Sequence, residues 1–296
     1  MRSLKAALIQ REAQTEPGTD LDACLQAIRR VAGAGCRLVL LQELHNGAYF
    51  CQRERADSFD AAEPIPGPST AALGALAAEL SVVIVGSLFE RRAAGVYHNT
   101  AVVLDADGSL AGLYRKMHIP DDPGYYEKFY FTPGDLGFRP VDTAVGRLGV
   151  LVCWDQWFPE AARLMAMGGA ELLLYPTAIG WDPADPEDER GRQLDAWRTV
   201  QRGHAVANGL PLLACNRVGF EPAPDAAGPE DGILFWGSSF ACGPQGEILA
   251  AASETAPEDL IVDIDLNRAE AVRRIWPFFR DRRIDAYGDL LKRWRD

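Results

Sequence analysis

The stretch GVLVCWDQWFPEAARL, residues 149–164, joins a pattern typical of a buried strand to a pattern typical of a helix. Its opening residues are apolar and include two valines, whereas Pro159 followed by Glu-Ala-Ala-Arg is typical of the first turn of a helix. Cys153 lies between the two patterns. A thiol at such a junction is either inert packing or a nucleophile presented at the end of a strand, and other parts of the chain distinguish these two interpretations.

Apolar runs typical of strands recur along the chain, and helical patterns separate many of them, which predicts an α/β protein. The strand-like runs are LKAALIQ (4–10), RLVLLQE (37–43), VVIVGSLFE (82–90), NTAVVLDADG (99–108), LGVLVC (148–153), ELLLYP (171–176), LPLLACNRVG (210–219) and LIVDIDL (260–266). The helical patterns are LDACLQAIRRVAG after the capping-type Asp20, STAALGALAAEL after Pro68, FPEAARLMAMGG (158–169) and GRQLDAWRTVQRGHAVANG (191–209). Asp107-Gly108 predicts a hairpin, so the sheet should be mixed rather than purely parallel.

The composition favours one large domain without a nucleic-acid partner. The chain has 296 residues, of which 48% are hydrophobic, and no linker or low-complexity segment divides residues 1–296. The acidic stretch 183–189 and the Pro- and Gly-rich stretch 221–232 are predicted to be surface loops, where binding residues concentrate. A formal charge of −12 argues against a nucleic-acid surface and mildly favours cationic small molecules.

The cysteines and the first residues indicate a cytoplasmic protein with free thiols. The six cysteines are widely spaced, with no C-x-x-C pair and no Cys/His cluster of zinc spacing, so no metal site is predicted. The N-terminus turns polar too soon for a signal peptide, and no apolar run is long enough to span a bilayer, so no membrane partner is expected. Dinucleotide-binding, phosphate-loop and serine-elbow motifs are also absent from the sequence.

Three polar residues that end apolar strands form a chemically coherent set. Glu43 follows RLVLLQ, Lys116 lies in LYRKMHIP, and Cys153 follows GVLV. Any one of them could simply mark where a strand meets water. Together they suit acyl transfer, because Glu43 could accept the thiol proton and Lys116 could stabilise the thiolate and the developing oxyanion. The backbone N–H of Trp154 would add a second oxyanion donor, and the helix beginning near Phe158 would add its positive end.

An alternative assigns the base to histidine, as in Cys-His hydrolases. His45 and His118 each lie two residues beyond Glu43 and Lys116, so either could reach the same pocket. We expect them instead to be supporting or binding groups, and we expect the remaining two histidines, His98 and His204, to be structural.

At Glu43, Lys116 and Cys153 the chain resembles the nitrilase superfamily of carbon–nitrogen hydrolases, which is marked by a Glu-Lys-Cys triad. The resemblance covers almost the whole chain. It rests on LQELHNGAYFCQ, YRKMHIPDDPGYYEKFYFTPGD and GVLVCWDQWFPEAARLMAMGGAELLLYPTAIG. It implies a four-layer α-β-β-α sandwich of two mixed sheets with helices outside, and it implies Glu43 as general base. It also implies a second catalytic glutamate, Glu127, whose alternative interpretation is an incidental salt-bridged loop residue.

Within the superfamily the chain is most similar to the branch that hydrolyses N-carbamoylputrescine. The similar segments are FCQ (50–52), KFYFTPGD (128–135), CWDQWFPEAAR (153–163), YPTAIG (175–180) and FRDRRIDAY (279–287). Relatives that act on N-carbamoyl amino acids commonly carry arginine just after the cysteine, but here Asp155, Gln156 and Trp157 occupy those positions. A diamine substrate needs a carboxylate at the far end of the pocket instead. The candidates are Asp182, Asp185, Glu187, Asp188 and Glu189 in WDPADPEDER, although most of these are expected to be a solvated acidic loop.

The predicted oxyanion and substrate-binding residues follow from the same similarity. They are Trp154, Tyr49, His118, Trp157, Thr177, Ala178 and Asp182. Four tryptophans, Trp154, Trp157, Trp181 and Trp236, could line a channel for a methylene chain or simply belong to the core.

The expected reaction is hydrolysis through a thioester-type intermediate on Cys153, with no metal or organic cofactor. Alternatives are amidase action on another small amide or on an N-carbamoyl amino acid such as N-carbamoyl-β-alanine, acyl transfer to an amine, and, least favoured, non-catalytic binding. The resemblance also implies a homo-oligomer. An arm at about residues 267–296 could pack on a neighbouring subunit or dock on its own chain.

Overall fold

Two six-stranded mixed sheets form the centre of the computed structural model, which describes residues 2–14 and 18–295. The strands are β1 (Ser3–Gln10), β2 (Leu38–Leu41), β3 (Val83–Ala93), β4 (Val96–Leu104), β5 (Leu110–Arg115), β6 (Val141–Thr143), β7 (Gly146–Val150), β8 (Leu172–Pro176), β9 (Gly180–Trp181), β10 (Leu212–Cys215), β11 (Val218–Pro222), β12 (Gly232–Trp236), β13 (Phe240–Cys242), β14 (Ile248–Ala251) and β15 (Glu258–Asp265). The α-helices are α1 (Asp20–Gly33), α2 (Pro68–Leu80), α3 (Glu127–Tyr130), α4 (Pro159–Met167), α5 (Glu187–Asn208) and α6 (Leu266–Ile275).

Both large sheets are built on the same chain plan. The first has the order β15-β1-β2-β3-β4-β5 and the second the order β14-β13-β10-β8-β7-β6. In each, three parallel strands are joined through two helices, as β1-α1-β2-α2-β3 and as β7-α4-β8-α5-β10. Three strands that pair antiparallel, two on one side of the parallel set and one on the other, complete the six. The parallel strands therefore end at one edge of each sheet, which is where loops can bring polar side chains together.

The two sheets face each other across one apolar layer. Leu8, Leu40 and Val85 of the first sheet belong to the same buried cluster as Val150 and Leu174 of the second. Strand alternation directs the intervening residues outward, where a second cluster joins the first sheet to α1 and α2. The predicted four-layer α-β-β-α sandwich of two mixed sheets is thus confirmed. None of the helices in the described ranges is long and apolar enough to cross a membrane.

Three local predictions were wrong in part. The stretch 221–232 is not wholly a surface loop, because Glu221 and Pro222 belong to β11, Gly232 belongs to β12, and Glu221 is buried. Asp20 is not the N-cap but the first residue of α1, and its carboxylate accepts a hydrogen bond from the backbone N–H of Gln14. The acidic stretch 183–189 is not wholly irregular, because residues from Glu187 onward form the first turn of α5. Acidic side chains are favourable there, since they lie at the positive end of the helix dipole. A third, small sheet of order β11-β12-β9 was not anticipated.

The C-terminal segment leaves the sandwich after α6. Phe279 packs against the main core, while Trp276 and Phe278 are about half exposed at 51% and 48%. Further on, Leu291 and Trp294 are 95% and 82% exposed. Asp296, the last residue of the predicted arm, lies outside the described residues.

Candidate active site

The junction at Cys153 is a sharp turn rather than the end of a regular strand. Strand β7 ends at Val150, three residues earlier than the sequence suggested, although Leu151 still donates its N–H to Leu174 O at 2.9 Å. A 3₁₀ turn then runs over Cys153–Trp157, and α4 follows. Cys153 has φ of +41°, in the left-handed region that non-glycine residues rarely adopt. Such a conformation persists only where the surroundings hold it.

Asp155 is the residue that holds this turn. Its buried carboxylate accepts hydrogen bonds from the backbone N–H of Val152 at 2.9 Å and from the Tyr114 hydroxyl at 2.8 Å. Its other oxygen lies 2.7 Å from His118 Nδ1 and accepts the His118 N–H at 3.1 Å. The carboxylate therefore ties the residue before the nucleophile to the segment that carries Lys116.

Gln156 anchors the turn from the other side. Its amide accepts from Trp197 Nε1 at 2.8 Å and donates to Thr177 Oγ1 at 2.7 Å, and its backbone oxygen lies 2.8 Å from His204 Nε2. Trp197 and His204 belong to α5, so this network fixes the helix against the turn. Asp155 and Gln156 thus serve the fold of the turn.

Four chemically active side chains meet beneath this turn. Glu43 follows β2, Lys116 follows β5, Glu127 opens α3, and all three are buried beside Cys153. Lys116 Nζ donates to Glu43 Oε1 at 2.8 Å and to Glu127 Oε2 at 2.7 Å. The alternative view of Glu127 as an incidental exposed salt-bridge residue does not fit, because its side chain is only 1% exposed.

Two further residues orient the carboxylates. Asn99 of β4 donates its amide to Glu43 Oε1 at 2.6 Å, and the hydroxyl of Tyr49 donates to Glu127 Oε1 at 2.8 Å. Burial raises the pKa of Tyr49 well above its ordinary value, so the phenol keeps its proton as a donor. Glu43 Oε2 has no hydrogen-bond partner among the described residues. It is therefore a buried oxygen that is free to accept a proton or a hydrogen bond.

The electrostatics of the cluster keep the thiol protonated at rest. Burial, with the negative charge of Glu43, raises the pKa of Cys153 well above its ordinary value. Burial lowers the pKa of Lys116, but the charges of Glu127 and Glu43 outweigh it and hold this pKa well above the usual range. Burial raises the pKa of Glu127 to about 7; Lys116 opposes that shift and Glu43 adds to it. A thiol in this setting needs a base to become a nucleophile.

A cavity of about 600 Å³ opens onto Cys153 and Glu127. Aromatic residues form much of its wall, namely Tyr125, Trp154, Trp157 and Trp236. Its mouth is acidic, with Asp122, Asp182, Asp185 and Glu189, and Arg192 is the one cationic side chain among the described lining residues. Arg192 forms ion pairs with Asp188 at 2.9 Å and with Glu189 at 2.7 Å.

The sequence-predicted binding residues separate into two groups. Trp154, Trp157, Ala178 and Asp182 line the cavity, and the Ala178 carbonyl lies 3.6 Å from Cys153 Sγ. Tyr49, His118 and Thr177 are not among its described lining residues, and their polar atoms contact Glu127, Asp155 and Gln156 instead. Of the acidic candidates, Glu187 and Asp188 also lie outside the described lining, and Trp181 packs against Trp236 behind it.

The histidines have partners away from the thiol. His45 Nδ1 lies 3.0 Å from Ser87 O, and His98 Nδ1 lies 2.8 Å from Thr132 O. His118 and His204 bind Asp155 and Gln156, as described above. The geometry therefore favours Glu43 over a Cys-His pair as the base.

Sequence reasoning missed three residues that shape the site, Asn99, Arg217 and Glu221. Arg217 is fully buried, and it donates to Glu43 O at 3.1 Å and to Glu221 Oε1 at 2.8 Å. The sequence does mark two of them, Asn99 and Arg217, as polar residues within apolar strand runs. Asn99 opens an apolar strand run, and Asn216-Arg217 interrupts another, at positions where polar residues are disfavoured.

Comparison with known proteins gives a consistent result. Residues 5–274 match the sequence model of the carbon–nitrogen hydrolase family. The chain is 45% identical over 291 residues to the N-carbamoylputrescine amidase of Arabidopsis thaliana, covering 98% of this chain and 96% of that protein. It is 39% identical over 295 residues to the citrullinase of Francisella tularensis subsp. tularensis, covering 99% and 100%. The crystal structure of a carbon–nitrogen hydrolase from Helicobacter pylori G27 is 53% identical, with a TM-score of 0.95 over 99% of this chain and 100% of that one.

Proposed function

The chain belongs to the carbon–nitrogen hydrolase family, and on that basis we propose that it hydrolyses N-carbamoylputrescine to putrescine, ammonia and carbon dioxide, in polyamine biosynthesis. The observation that carries the proposal is the cluster of Glu43, Lys116, Glu127 and Cys153 at the base of an aromatic cavity with an acidic mouth. A cationic ureido substrate matches both ends of that cavity.

In the proposed first step Cys153 Sγ attacks the ureido carbon, and Glu43 accepts the thiol proton on Oε2, the oxygen that lacks a partner in the described structure. The ureido carbon is a poor electrophile because both nitrogens donate into it. Stabilisation of the oxyanion is therefore decisive, and Lys116 with the backbone N–H of Trp154 supplies it. Because two carboxylates surround Lys116, it stays charged throughout the reaction.

Collapse of the tetrahedral intermediate breaks a C–N bond, and the departing amine takes its proton from Glu43. The carbonyl carbon stays on Cys153 as a thioester-type intermediate. Water then adds to that carbon with Glu43 again as base, the C–S bond breaks, and the thiol is restored. The released carbamic acid loses carbon dioxide, which breaks the second C–N bond and frees the remaining amine. In this scheme Glu127 orients Lys116 and the substrate nitrogen, and Tyr49 orients Glu127 through its hydroxyl at 2.8 Å.

Selectivity in this proposal comes from the cavity rather than from the triad. The tetramethylene chain of the substrate would pack between Trp154, Trp157 and Trp236. Its ammonium would reach the acidic mouth, where Asp182 and Asp185 lie within the lining. An ammonium over an aromatic face is an additional favourable contact.

A second candidate substrate is citrulline, which carries a carboxylate beside its distal amine. The observation in its favour is Arg192, since this cation lines the same mouth as the acidic residues. The 39% identity to a citrullinase adds to it. Arg192 is engaged with Asp188 and Glu189, however, and the four carboxylates at the mouth outnumber it, so the diamine substrate is the better match.

The experiment measures ammonia release from N-carbamoylputrescine, citrulline, N-carbamoyl-β-alanine and butyramide side by side, with Cys153→Ala as blank. N-Butylurea is the matched control, because it keeps the ureido group and the chain but lacks the distal ammonium. We expect kcat/KM to be highest for N-carbamoylputrescine and clearly lower for N-butylurea. Equal values for these two would refute the role of the acidic mouth, and preference for citrulline would replace the substrate while leaving the triad standing.

We further propose that the protein is a cytoplasmic homo-oligomer. All six cysteines are free and buried, which supports a reducing compartment. The exposed apolar side chains of the C-terminal arm, among them Ile284, Leu291 and Trp294, support packing on a second copy of this chain. Leu291→Glu combined with Trp294→Glu should lower the mass measured by light scattering, whereas the matched exposed change Arg293→Glu should not.

A further inference from the structure

Arg217 is a fully buried cation placed directly beneath the loop that carries Glu43. Its Nη2 donates to Glu43 O at 3.1 Å and to Gly47 O at 2.8 Å, and also to Leu44 O. Its Nε donates to Glu43 O at 3.2 Å. One guanidinium therefore gathers three carbonyl groups of residues 43–47, which a neutral side chain could not do.

Glu221 extends this arrangement to the second carboxylate of the site. It accepts from Arg217 Nη1 at 2.8 Å and from the backbone N–H of Tyr49 at 2.7 Å. The hydroxyl of Tyr49 in turn donates to Glu127 Oε1 at 2.8 Å. The pair Arg217–Glu221 thus contacts the main chain at Glu43 and at Tyr49. The first contact positions the Glu43 side chain, and the second positions Glu127 through the Tyr49 hydroxyl.

The backbone in this loop requires such support. Leu44 has φ of +48°, a left-handed conformation that a leucine does not adopt unaided. It is held from one side by Ser87, whose hydroxyl accepts the Leu44 N–H at 3.2 Å, and from the other by Arg217 at the Leu44 carbonyl. Strain of this kind beside a reacting group is kept only where neighbouring contacts over-determine it.

We propose that Arg217, paired with Glu221, is a positioning residue for the hydrolytic reaction: it fixes the general base Glu43 through its backbone carbonyl and Glu127 through Tyr49. This inference rests on the proposed function of Glu43. A buried ion pair gains little stability over apolar residues of the same size, because desolvation offsets the Coulombic attraction. The geometry it imposes on the Glu43 loop is the feature that an apolar pair would not reproduce.

The test uses two variants of the full chain, so that it does not depend on one of them folding. Arg217→Lys keeps the charge but cannot span three carbonyls, and the double variant Arg217→Met with Glu221→Gln leaves no unpaired buried charge. Glu43→Gln is the reference for loss of the base. Arg11→Met is the matched control, because Arg11 also forms a partly buried ion pair, with Asp259 at 3.1 Å, away from the cavity lining.

Two readouts are measured, the kcat and KM for ammonia release and the rate at which iodoacetamide alkylates Cys153, located by mass spectrometry. The alkylation rate reports on thiol activation without any assumption about the substrate. We expect the double variant to lose about 10²-fold in kcat with KM nearly unchanged, because a misplacement of about 1 Å has that effect. Arg217→Lys should lose less, Arg11→Met should match wild type, and alkylation should slow in the order of the kcat values.

Folded Arg217 variants with wild-type kcat and alkylation would overturn the inference. A second outcome would also overturn it: kcat falls only in proportion to the fraction of chains whose Cys153 cannot be alkylated, while the remaining chains react at the wild-type rate. That result would mean that Arg217 is needed for folding and not for positioning. If Glu43→Gln changes neither readout, the proposed function itself fails. If wild type does not hydrolyse N-carbamoylputrescine but its alkylation depends on Glu43, the substrate is wrong and the alkylation rates still decide the role of Arg217.

Discussion

The ammonium of Lys116 lies 2.7 Å from Glu127 Oε2, and both side chains are buried. The same ammonium lies 2.8 Å from Glu43 Oε1, so a single buried cation is shared by two buried carboxylates at the base of the cavity. This sharing keeps Lys116 charged and in place, because moving it away would leave two buried carboxylates without a countercharge.

Lys116→Met is expected to abolish turnover. Removing one oxyanion donor typically lowers kcat about 10²–10³-fold, and here the change also leaves Glu43 and Glu127 facing each other. The repulsion between the two carboxylates then disturbs the position of Glu43, which impairs proton transfer from Cys153. Ammonia release measures the effect, with Cys153→Ser as the inactive reference and the exposed Lys128→Met as the matched control. A folded Lys116→Met variant with near-normal turnover would refute the role of Lys116 as an oxyanion donor.

The raised pKa of Glu127 should make stability depend on pH in a defined direction. Burial raises this pKa from 4.5 to about 7, so between these values the folded state binds more protons than the unfolded state. The contribution of Glu127 to the free energy of unfolding therefore falls as pH rises from about 4.5 to about 7, and it stays level above that range. Glu127→Gln removes this contribution.

Urea unfolding of wild type and Glu127→Gln at several pH values between 4.5 and 8 measures the difference. The difference is needed because His45 acts in the opposite direction: burial lowers its pKa to about 4, so its contribution rises with pH between about 4 and 6.5. Wild type should lose stability relative to the variant as pH rises. Parallel curves for the two proteins would contradict a buried, proton-binding Glu127.

The sequence pointed to the residues of the candidate site more clearly than to the residues that surround them. Glu43 and Cys153 each follow a parallel strand with a strong apolar pattern, β2 in one sheet and β7 in the other, and the face-to-face packing of the two sheets brings these strand ends together. Lys116 follows β5, whose pattern is weaker, and its charge is what marks it in the sequence. The hairpin at Asp107-Gly108 also follows from local chemistry, since β4 and β5 pair across it. These features are encoded by short stretches that can be interpreted one at a time.

The supporting residues depend on contacts that no short stretch encodes. Asn99 reaches Glu43 across 56 positions of sequence, and Arg217 reaches it across 174. Which strand lies beside which, and in what register, decides these partners. The sequence predicts a loop for the first turn of α5 because Glu187, Asp188 and Glu189 suggest solvent exposure, whereas the helix dipole favours them there.

Asp155→Asn should damage the turn that presents Cys153. The carboxylate accepts hydrogen bonds from the backbone N–H of Val152, the Tyr114 hydroxyl and the backbone N–H of His118, so these partners are all donors. An asparagine would place an NH₂ group against some of them and leave buried donors unsatisfied, which costs about 1–3 kcal/mol for each group. Thermal unfolding and kcat should both fall, whereas Asp142→Asn, on an exposed ion pair with Arg147, should change neither. A fully active and stable Asp155→Asn would show that the turn holds its shape without this carboxylate.

The charges at the cavity mouth should determine which carbamoyl compound is preferred. Asp182 and Asp185 attract a distal ammonium, whereas Arg192 attracts a carboxylate and also neutralises Glu189. Replacing Asp182 and Asp185 together by Asn should raise the KM for N-carbamoylputrescine several-fold and leave N-butylurea unchanged. The effect is limited to about 0.2–1 kcal/mol for each interaction, because these groups are near solvent.

Arg192→Gln should act in the opposite sense. It releases Glu189 and removes the cation, so the KM for N-carbamoylputrescine should fall, while activity on citrulline should fall with the loss of a carboxylate partner. Raising the salt concentration should shrink both effects, because screening weakens exposed pairs more than buried ones. An Arg192→Gln variant that gains activity on citrulline would contradict this assignment, and another residue of the cavity would then have to bind the citrulline carboxylate.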